Sequence, residues 1–313
     1  MKLHKTFFSV LIVVFNESLE IIERNIKNNS FKSVEYIIIN NSTDDEYKSK
    51  LINWYEKNLN SGEKGRVKII EADYNGGYTR GNNLGFSYSN GKYLLIINPD
   101  VEIGNKFLSN AYKIIRKHSW CLFYPKQVNN FKENRIRTGL ILSEFHSLLD
   151  YVKIVDFNKI NDSVIPGYYE AFYCQGGCFF IKRSLFKKLR GFDENFFIYS
   201  EEADLCCRAK KKFNITSIYC PNLIAAHYHD VYSFSIFSER LMVRNRLAFI
   251  AKNFPMKLFL IQSLLSIPRV FIKLIDYKNK KVRYTFIFPL FNSLFKGFLM
   301  GCQYLLNEHL RNC

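Results

Sequence analysis

Four short tracts of this 313-residue sequence gather residue types that could do chemistry. In LLIINPDVE, Asp100 directly follows an apolar, β-branched run. A carboxylate fixed at a strand end can hold Mg²⁺ or Mn²⁺ through one or two protein oxygens, leaving substrate phosphates and water to complete the shell. Glu102, two residues on, could join it directly or through water. Asp100 could equally cap a helix that starts near Gly104, and the tract alone leaves both readings open.

In NGGYTRGNNLGF, the glycines at 76, 77, 81 and 85 would let backbone approach a ligand closely, and Arg80 offers a cation for a diphosphate. The competing reading is a glycine-rich turn that leads into a helix with Asn caps. In FIYSEEADLCCRA, Ser200 is the expected N-cap, which places Glu201 and Glu202 in a first helical turn. Asp204 and Arg208 are four apart and expected to pair along that helix. Glu202 is the candidate base facing a cleft. In AAHYHDVYS, a neutral His227 imidazole could reach a metal or a leaving diphosphate, whereas His229 and Asp230 read as a solvated turn.

The elements that must position these tracts follow from hydrophobic periodicity. Phe7–Phe15, Val34–Ile39, Val67–Ile70 and Tyr93–Ile97 read as strands, with helices over Glu17–Asn28 and Asp45–Leu59 between them. Strands separated by helices imply parallel pairing and an α/β sheet covered on both faces. Ligands of such sheets bind beyond the carboxyl ends of the strands, where the loops beginning at Asn16, Asn40, Asp73 and Asn98 stand. Strands are also expected at Trp120–Tyr124 and Cys178–Ile181, and helices over Ser184–Leu189 and after Ser200.

Beyond Glu239 the pattern changes to amphipathic stretches over Arg240–Asn253, Met256–Ile275 and Phe286–Leu306. None is a clean run of 18 apolar residues, since Pro268 with Arg269, and Pro289 with Lys296, interrupt them. Domain boundaries are therefore expected at 1–238 and 239–313. Of the formal charge of +17, a surplus of ten lies after Asp230, with 13 Lys and Arg against 3 Asp and Glu. Basic charge interleaved with Phe, Leu and Ile favours an anionic membrane surface over a nucleic-acid groove. Eight cysteines without a CxxC pair or zinc spacing read as reduced, and so cytosolic. The apolar start of the chain is followed by Asn16 and Glu17 without a small-residue cleavage site, which reads as a buried strand and not a signal peptide.

Taken in order, VVFNE, INNSTD, NGGYTRGNNLG, NPDVE and GGCFFIKRSLFKKLRGFDENFFIYSEEADLCCRA resemble the family 2 glycosyltransferases, in their rhamnosyltransferase-like and galactofuranosyltransferase-like branch. The resemblance covers about Ser9–Ala248. It implies a GT-A fold with an open, mostly parallel sheet and a C-terminal set of amphipathic helices, RLMVRNRLAF being similar to the helix that follows the catalytic domain. It also implies an inverting transfer of sugar from a nucleotide diphosphate to a hydroxyl of a glycan or lipid-linked acceptor, as in O-antigen synthesis, with Mg²⁺ or Mn²⁺ as cofactor. By similarity, Asp100 matches the metal-binding Asp, joined by Glu102 or His227. Phe15, Asn16, Asn40, Asn75, Arg80, Asn82, Asn83 and Asp100 match donor contacts. Glu202 matches the catalytic Asp of a Glu-Asp pair, with Glu201 and Asp204 as alternates. Asn40 stands where the family commonly has Asp, and Glu202 is one methylene longer than the usual base. The implied location is cytoplasmic, peripheral on the inner face of the plasma membrane, with no nucleic-acid partner. A non-catalytic basic binding protein is the alternative of another class, and a sugar nucleotidyltransferase ranks third because FNESLE after the first strand lacks a glycine-rich basic loop.

Overall fold

The computed structural model describes residues 6–128, 163–165, 167–171, 173–228, 236–276, 281–282 and 287–312. His229 and Asp230 lie outside them. The described chain divides into two compact units, one of residues 1–197 and 205–229, the other of residues 198–204 and 230–313.

The first unit begins as alternating strands and helices: β1 (Phe8–Val14), α1 (Glu20–Lys27), β2 (Val34–Asn40), α2 (Asp45–Asn58), α3 (Ser61–Lys64), β3 (Val67–Glu71), α4 (Gly77–Ser87) and β4 (Tyr93–Ile97). It continues through β5 (Val101–Ile103), α5 (Phe107–His118), β6 (Leu122–Val128), β7 (Ser163–Ile165), β8 (Tyr168–Ala171), β9 (Cys178–Lys182), α6 (Arg183–Lys188), the C-terminal part of α7 (Glu201–Phe213) and β10 (Ser217–His227). The strands form one sheet in the order β3-β2-β1-β4-β9-β6-β10-β8-β7, with β5 paired to β10.

The sheet is parallel through β3-β2-β1-β4. Parallel pairing recurs between β6 and β10, but β9 runs antiparallel to both β4 and β6, so the second half is mixed where the sequence pattern suggested a mostly parallel sheet. The parallel half is the part whose strands are joined by helical crossovers, which return the chain to the same edge.

Both faces of the parallel half are covered, which is why its strands read as unbroken apolar runs. Phe8, Val10, Ile12 and Val14 alternate onto one face with Ile22, Ile26 and Tyr36, while Leu11 and Val13 join Ile96, Phe179 and Phe186 on the other. Each such buried side chain contributes about 1.5–3 kcal/mol. The glycine tract, for which a turn leading into a helix was the competing reading, is mostly the helix α4 itself, from Gly77 onward. Its glycines reflect close packing on the sheet: a Cβ at Gly81 would come within 2.7 Å of Val13, and one at Gly85 within 2.6 Å of Ile39. The first helix starts at Glu20, later than the periodicity suggested. Asn16 has a φ of 67°, and the Glu17 side chain turns back to accept from the Phe15 amide, so the backbone is not yet helical there.

The second unit holds the start of α7 and three long helices, α8 (Ile236–Asn253), α9 (Met256–Leu274) and α10 (Ile287–Asn312), with a short antiparallel ribbon of β11 (Ile275–Asp276) and β12 (Lys281–Val282). α10 packs along α8, where a Cβ on Gly297 would meet the Arg244 backbone at 2.5 Å, and Phe259 of α9 stacks on Phe298 of α10. Among the described residues no helix is long and apolar enough to cross a membrane.

Candidate active site

The backbone after β4 decides between the two readings of Asp100. Val101–Ile103 form β5, antiparallel to the end of β10, and α5 begins only after Lys106, which makes no side-chain cap bond. Asp100 is therefore not a helix cap. Its carbonyl accepts from the Tyr228 amide at 2.9 Å, and its Oδ1 stands 3.2 Å from Nε2 of His227. The histidine is buried and the carboxylate about a third exposed, so the pair opens to solvent on the aspartate side. His227 Nδ1 faces Oε1 of Gln127 at 3.1 Å, and the Gln127 amide nitrogen donates to the carbonyls of Gln175 and Gly176 at 3.2 and 3.1 Å.

Glu102 is placed differently. It bridges to Arg24 at 3.2 Å, and its charge helps raise the Tyr228 hydroxyl, whose main perturbation is burial. A carboxyl that sequence reasoning did not single out, Glu17, stands closer in effect: burial first, and then the Asp100 charge, push its pKa up. Among the described residues no group of three or more His, Cys, Asp or Glu side chains is placed to hold a metal ion. A carboxylate and an imidazole at one strand end still fit Mg²⁺ or Mn²⁺, which such sites commonly hold with few protein ligands plus substrate phosphates.

The ends of β1 and β2 are woven to the start of α4. Asn40 is fully buried, donating to Glu71 at 2.9 Å and accepting from the Ser42 amide at 3.0 Å. The Ser42 hydroxyl in turn donates to Oδ1 of Asn16 at 2.5 Å. Asn40 thus acts on the site through Ser42 and Asn16, while Phe15 is left exposed beside them. Asn41 donates to the Gly77 carbonyl at 2.8 Å, and Asn75 accepts from the Gly77 amide at 3.0 Å.

Arg80 lies over the Tyr74 ring, 3.9 Å from its centroid, and 3.5 Å from Asp73. Its Nη1 is buried with no hydrogen-bond partner among the described residues. Asn82 donates to the Tyr78 carbonyl at 2.9 Å, and its Oδ1 is buried without a partner among the described residues. Asn83 is committed elsewhere: its amide clamps the turn after α6, accepting from the Phe192 amide and donating to the Phe192 carbonyl and Glu194.

The acidic helix start belongs to the second unit and is built on unusual backbone. Tyr199 and Ser200 have φ of 73° and 72°, a left-handed region that costs non-glycine residues energy. Buried Asn245 of α8 holds the segment by donating to the Ile198 and Tyr199 carbonyls at 2.8 and 2.9 Å, and the Tyr199 hydroxyl meets Ser238 at 3.1 Å. Ser200 begins α7 through its carbonyl, which accepts from the Asp204 amide at 2.9 Å.

Glu201 and Glu202 follow. Burial raises both carboxyls above the ordinary range, Glu201 the more strongly because the Glu202 charge adds to it. Asp204 is fully buried and bound by Lys252 at 2.8 Å and Asn253 at 3.1 Å. The Arg208 guanidinium donates to the Leu189 carbonyl at 2.6 Å.

The sequence profile described as Glycosyl transferase family 2 matches residues 9–190, more than half of the chain. Among characterised relatives, the low-salt glycan biosynthesis hexosyltransferase Agl10 of Haloferax volcanii is 25% identical over 235 residues, covering 71% of this chain and 67% of the relative. The rhamnosyltransferase WbbL of Escherichia coli is 25% identical over 254 residues, covering 70% of this chain and 93% of the relative. The mannosyltransferase PcManGT of Pyrobaculum calidifontis, solved with GDP-Man and Mn²⁺, superposes over 98% of this chain and 76% of its own with a TM-score of 0.55 at 13% identity. GalNAc-T7, solved with UDP, GalNAc and Mn²⁺, gives a TM-score of 0.59 at 15% identity over 79% of this chain, which spans about half (48%) of that protein.

Proposed function

The chain belongs to glycosyl transferase family 2 and is a glycosyltransferase of glycan biosynthesis with the GT-A fold; on that premise we propose that it is an inverting, Mg²⁺- or Mn²⁺-dependent enzyme. It would transfer a sugar from a nucleotide diphosphate to a hydroxyl of a glycan or lipid-linked acceptor. The observation that carries this reading is the meeting of Asp100 Oδ1 and His227 Nε2 at 3.2 Å beyond β4. They would hold the cation there, and it would supply charge neutralisation for a departing diphosphate.

The remaining work falls to the chain's own groups. Arg80 offers its buried Nη1 to a phosphate oxygen, and Tyr74 fixes the guanidinium plane. Phe15 and Asn16 face the nucleoside, with Asn40 and Ser42 setting the Asn16 amide. Glu202 takes the proton of the acceptor hydroxyl, beside a Glu201 carboxyl that burial and the Glu202 charge push toward its protonated form. Asp204 is neutralised by Lys252 and serves the structure of the helix start. The test is a panel of nucleotide sugars examined by thermal shift with and without Mn²⁺: a true donor stabilises by mass action, and this stabilisation should vanish in Asp100→Ala. Metal-dependent stabilisation that survives in Asp100→Ala would refute the assignment.

The second unit supports placement on the cytoplasmic face of a membrane. Phe288, Phe295, Leu299 and Leu306 are exposed at spacings that put them on one stripe of α10, and Met256, Leu260, Leu264 and Ile267 form a like stripe on α9. With the surplus of ten positive charges after Asp230, these stripes suit an anionic lipid surface. Co-sedimentation with anionic vesicles that weakens with salt, and fails in Phe288→Ser/Phe295→Ser, supports this reading; equal binding to neutral vesicles would overturn it.

A further inference from the structure

We propose that Gln127 is a positioning residue that locks His227 in the tautomer able to bind a metal, an inference that rests on Asp100 and His227 being the cation ligands. Gln127 lies on β6 beside Ala225 of β10, two residues before His227 on a parallel neighbour. It is buried, and its amide orientation is fixed by what surrounds it: the nitrogen end faces two carbonyls, those of Gln175 and Gly176, at 3.2 and 3.1 Å. A carbonyl can only accept, so the NH₂ must point there and Oε1 must point at His227.

Oε1 can likewise only accept. The ring nitrogen 3.1 Å away, Nδ1, therefore carries the hydrogen, and a neutral ring has its lone pair on Nε2. Nε2 points at Asp100 Oδ1 across 3.2 Å. Two acceptors that face each other at this distance repel unless positive charge lies with them, either a proton added to Nε2 or the divalent cation the pair would hold. The backbone is shaped to permit the arrangement. Gly177 has a φ of 100°, and a Cβ there would come within 2.8 Å of the His227 ring and 3.1 Å of Gln127 Oε1. The neighbouring Gly177 carbonyl accepts from the Asn98 amide at 2.8 Å, tying the same strap to the NPD tract.

The chain of control thus runs from two backbone carbonyls through Gln127 to Nδ1, and from Nε2 to the cation. Partners of this kind beyond the ligands are worth roughly 10–100-fold in metal affinity.

The experiment is ¹⁵N NMR of the full chain labelled at histidine, with His227→Asn to assign the resonance, at a pH where the ring is neutral and no metal is added. The expected result is a ring protonated at Nδ1. In Gln127→Leu the ring should lose this fixed tautomer, and the Mn²⁺ dissociation constant should rise by about 10–100-fold. A wild-type ring protonated at Nε2, or a mixture of tautomers like that of free imidazole, overturns the proposal even if Gln127→Leu does not fold. Unchanged tautomer and unchanged Mn²⁺ affinity in a folded Gln127→Leu also overturn it. A wild type that keeps the Nδ1–H ring but binds no Mn²⁺ refutes the metal reading instead, so the two failures are distinguishable.

Discussion

The two acidic centres, Asp100 in the first unit and the Glu201–Glu202 pair in the second, treat the proton in opposite ways. Asp100 is partly exposed at a strand end and faces the His227 ring, the setting in which we propose that a cation is held. Glu201 and Glu202 stand together at a helix start, Glu201 buried and Glu202 half-buried, a setting in which burial raises both carboxyls and favours a bound proton. The contrast shows how one functional group, the carboxyl, meets two electrostatic settings through burial and partner. It also divides the predictions into those that remove charge from the first centre and those that change proton occupancy at the second.

The largest effect is expected for Asp100→Asn, which keeps the shape and removes the charge: transfer should fall by about 10³-fold or more, with the loss following that of metal binding. Steady-state kinetics across a Mn²⁺ titration checks it, and restoration at high Mn²⁺ would show that Asp100 contributes affinity alone. Glu202→Gln should lower kcat by about 10²–10⁴-fold while donor binding remains, because it removes the base and leaves the first centre intact. Normal turnover in that variant would place the base elsewhere.

Next in size is a stability effect. Lys252→Met would leave the buried Asp204 with Asn253 and without its ammonium partner, and should cost about 3–5 kcal/mol, read by chemical denaturation. A smaller and pH-dependent effect is expected for Glu201→Gln. A carboxyl whose folded pKa is raised adds stability below its unfolded value of 4.5, and that contribution is lost as pH rises through the folded value. Glu201→Gln should therefore gain on the wild type as pH rises above about 4.5, and the two melting curves should converge in acid. The same raised values put the acid limb of kcat/KM above the ordinary carboxylate range, with activity falling as pH drops through it; the limb belongs to the pair. An acid limb near the ordinary value would contradict a buried pair.

The difference between the two centres also marks what the sequence could reveal. β1, β2 and β4 were legible because a sheet covered on both faces writes unbroken apolar runs, and Asp100 was legible because it ends one of them. Glu201 and Glu202 were legible as neighbours at a helix start. Gln127 carried no local signal, since its meeting with His227 depends on the register of β6 against β10 across 100 residues. Glu17 did stand in the VVFNE tract, but its tie to Asp100 depends on β1 lying next to β4. For Asn40 and Asn83 the sequence could not show that their amides also bind within the fold, to Glu71 and Ser42 and to Phe192 and Glu194, because those partners are distant or set by the turn. The helix over Gly77–Ser87 was masked by low glycine propensity, which close packing on Val13 and Ile39 overrides.

The most direct test of the account is Mn²⁺ binding by electron paramagnetic resonance in the presence of a nucleoside diphosphate, comparing the wild type, Asp100→Asn and His227→Asn. Asp100 and His227 as the shared ligands predict a bound Mn²⁺ signal in the wild type, its loss in Asp100→Asn and its weakening in His227→Asn. An unchanged bound signal in both variants would contradict the metal site on which the proposed mechanism stands.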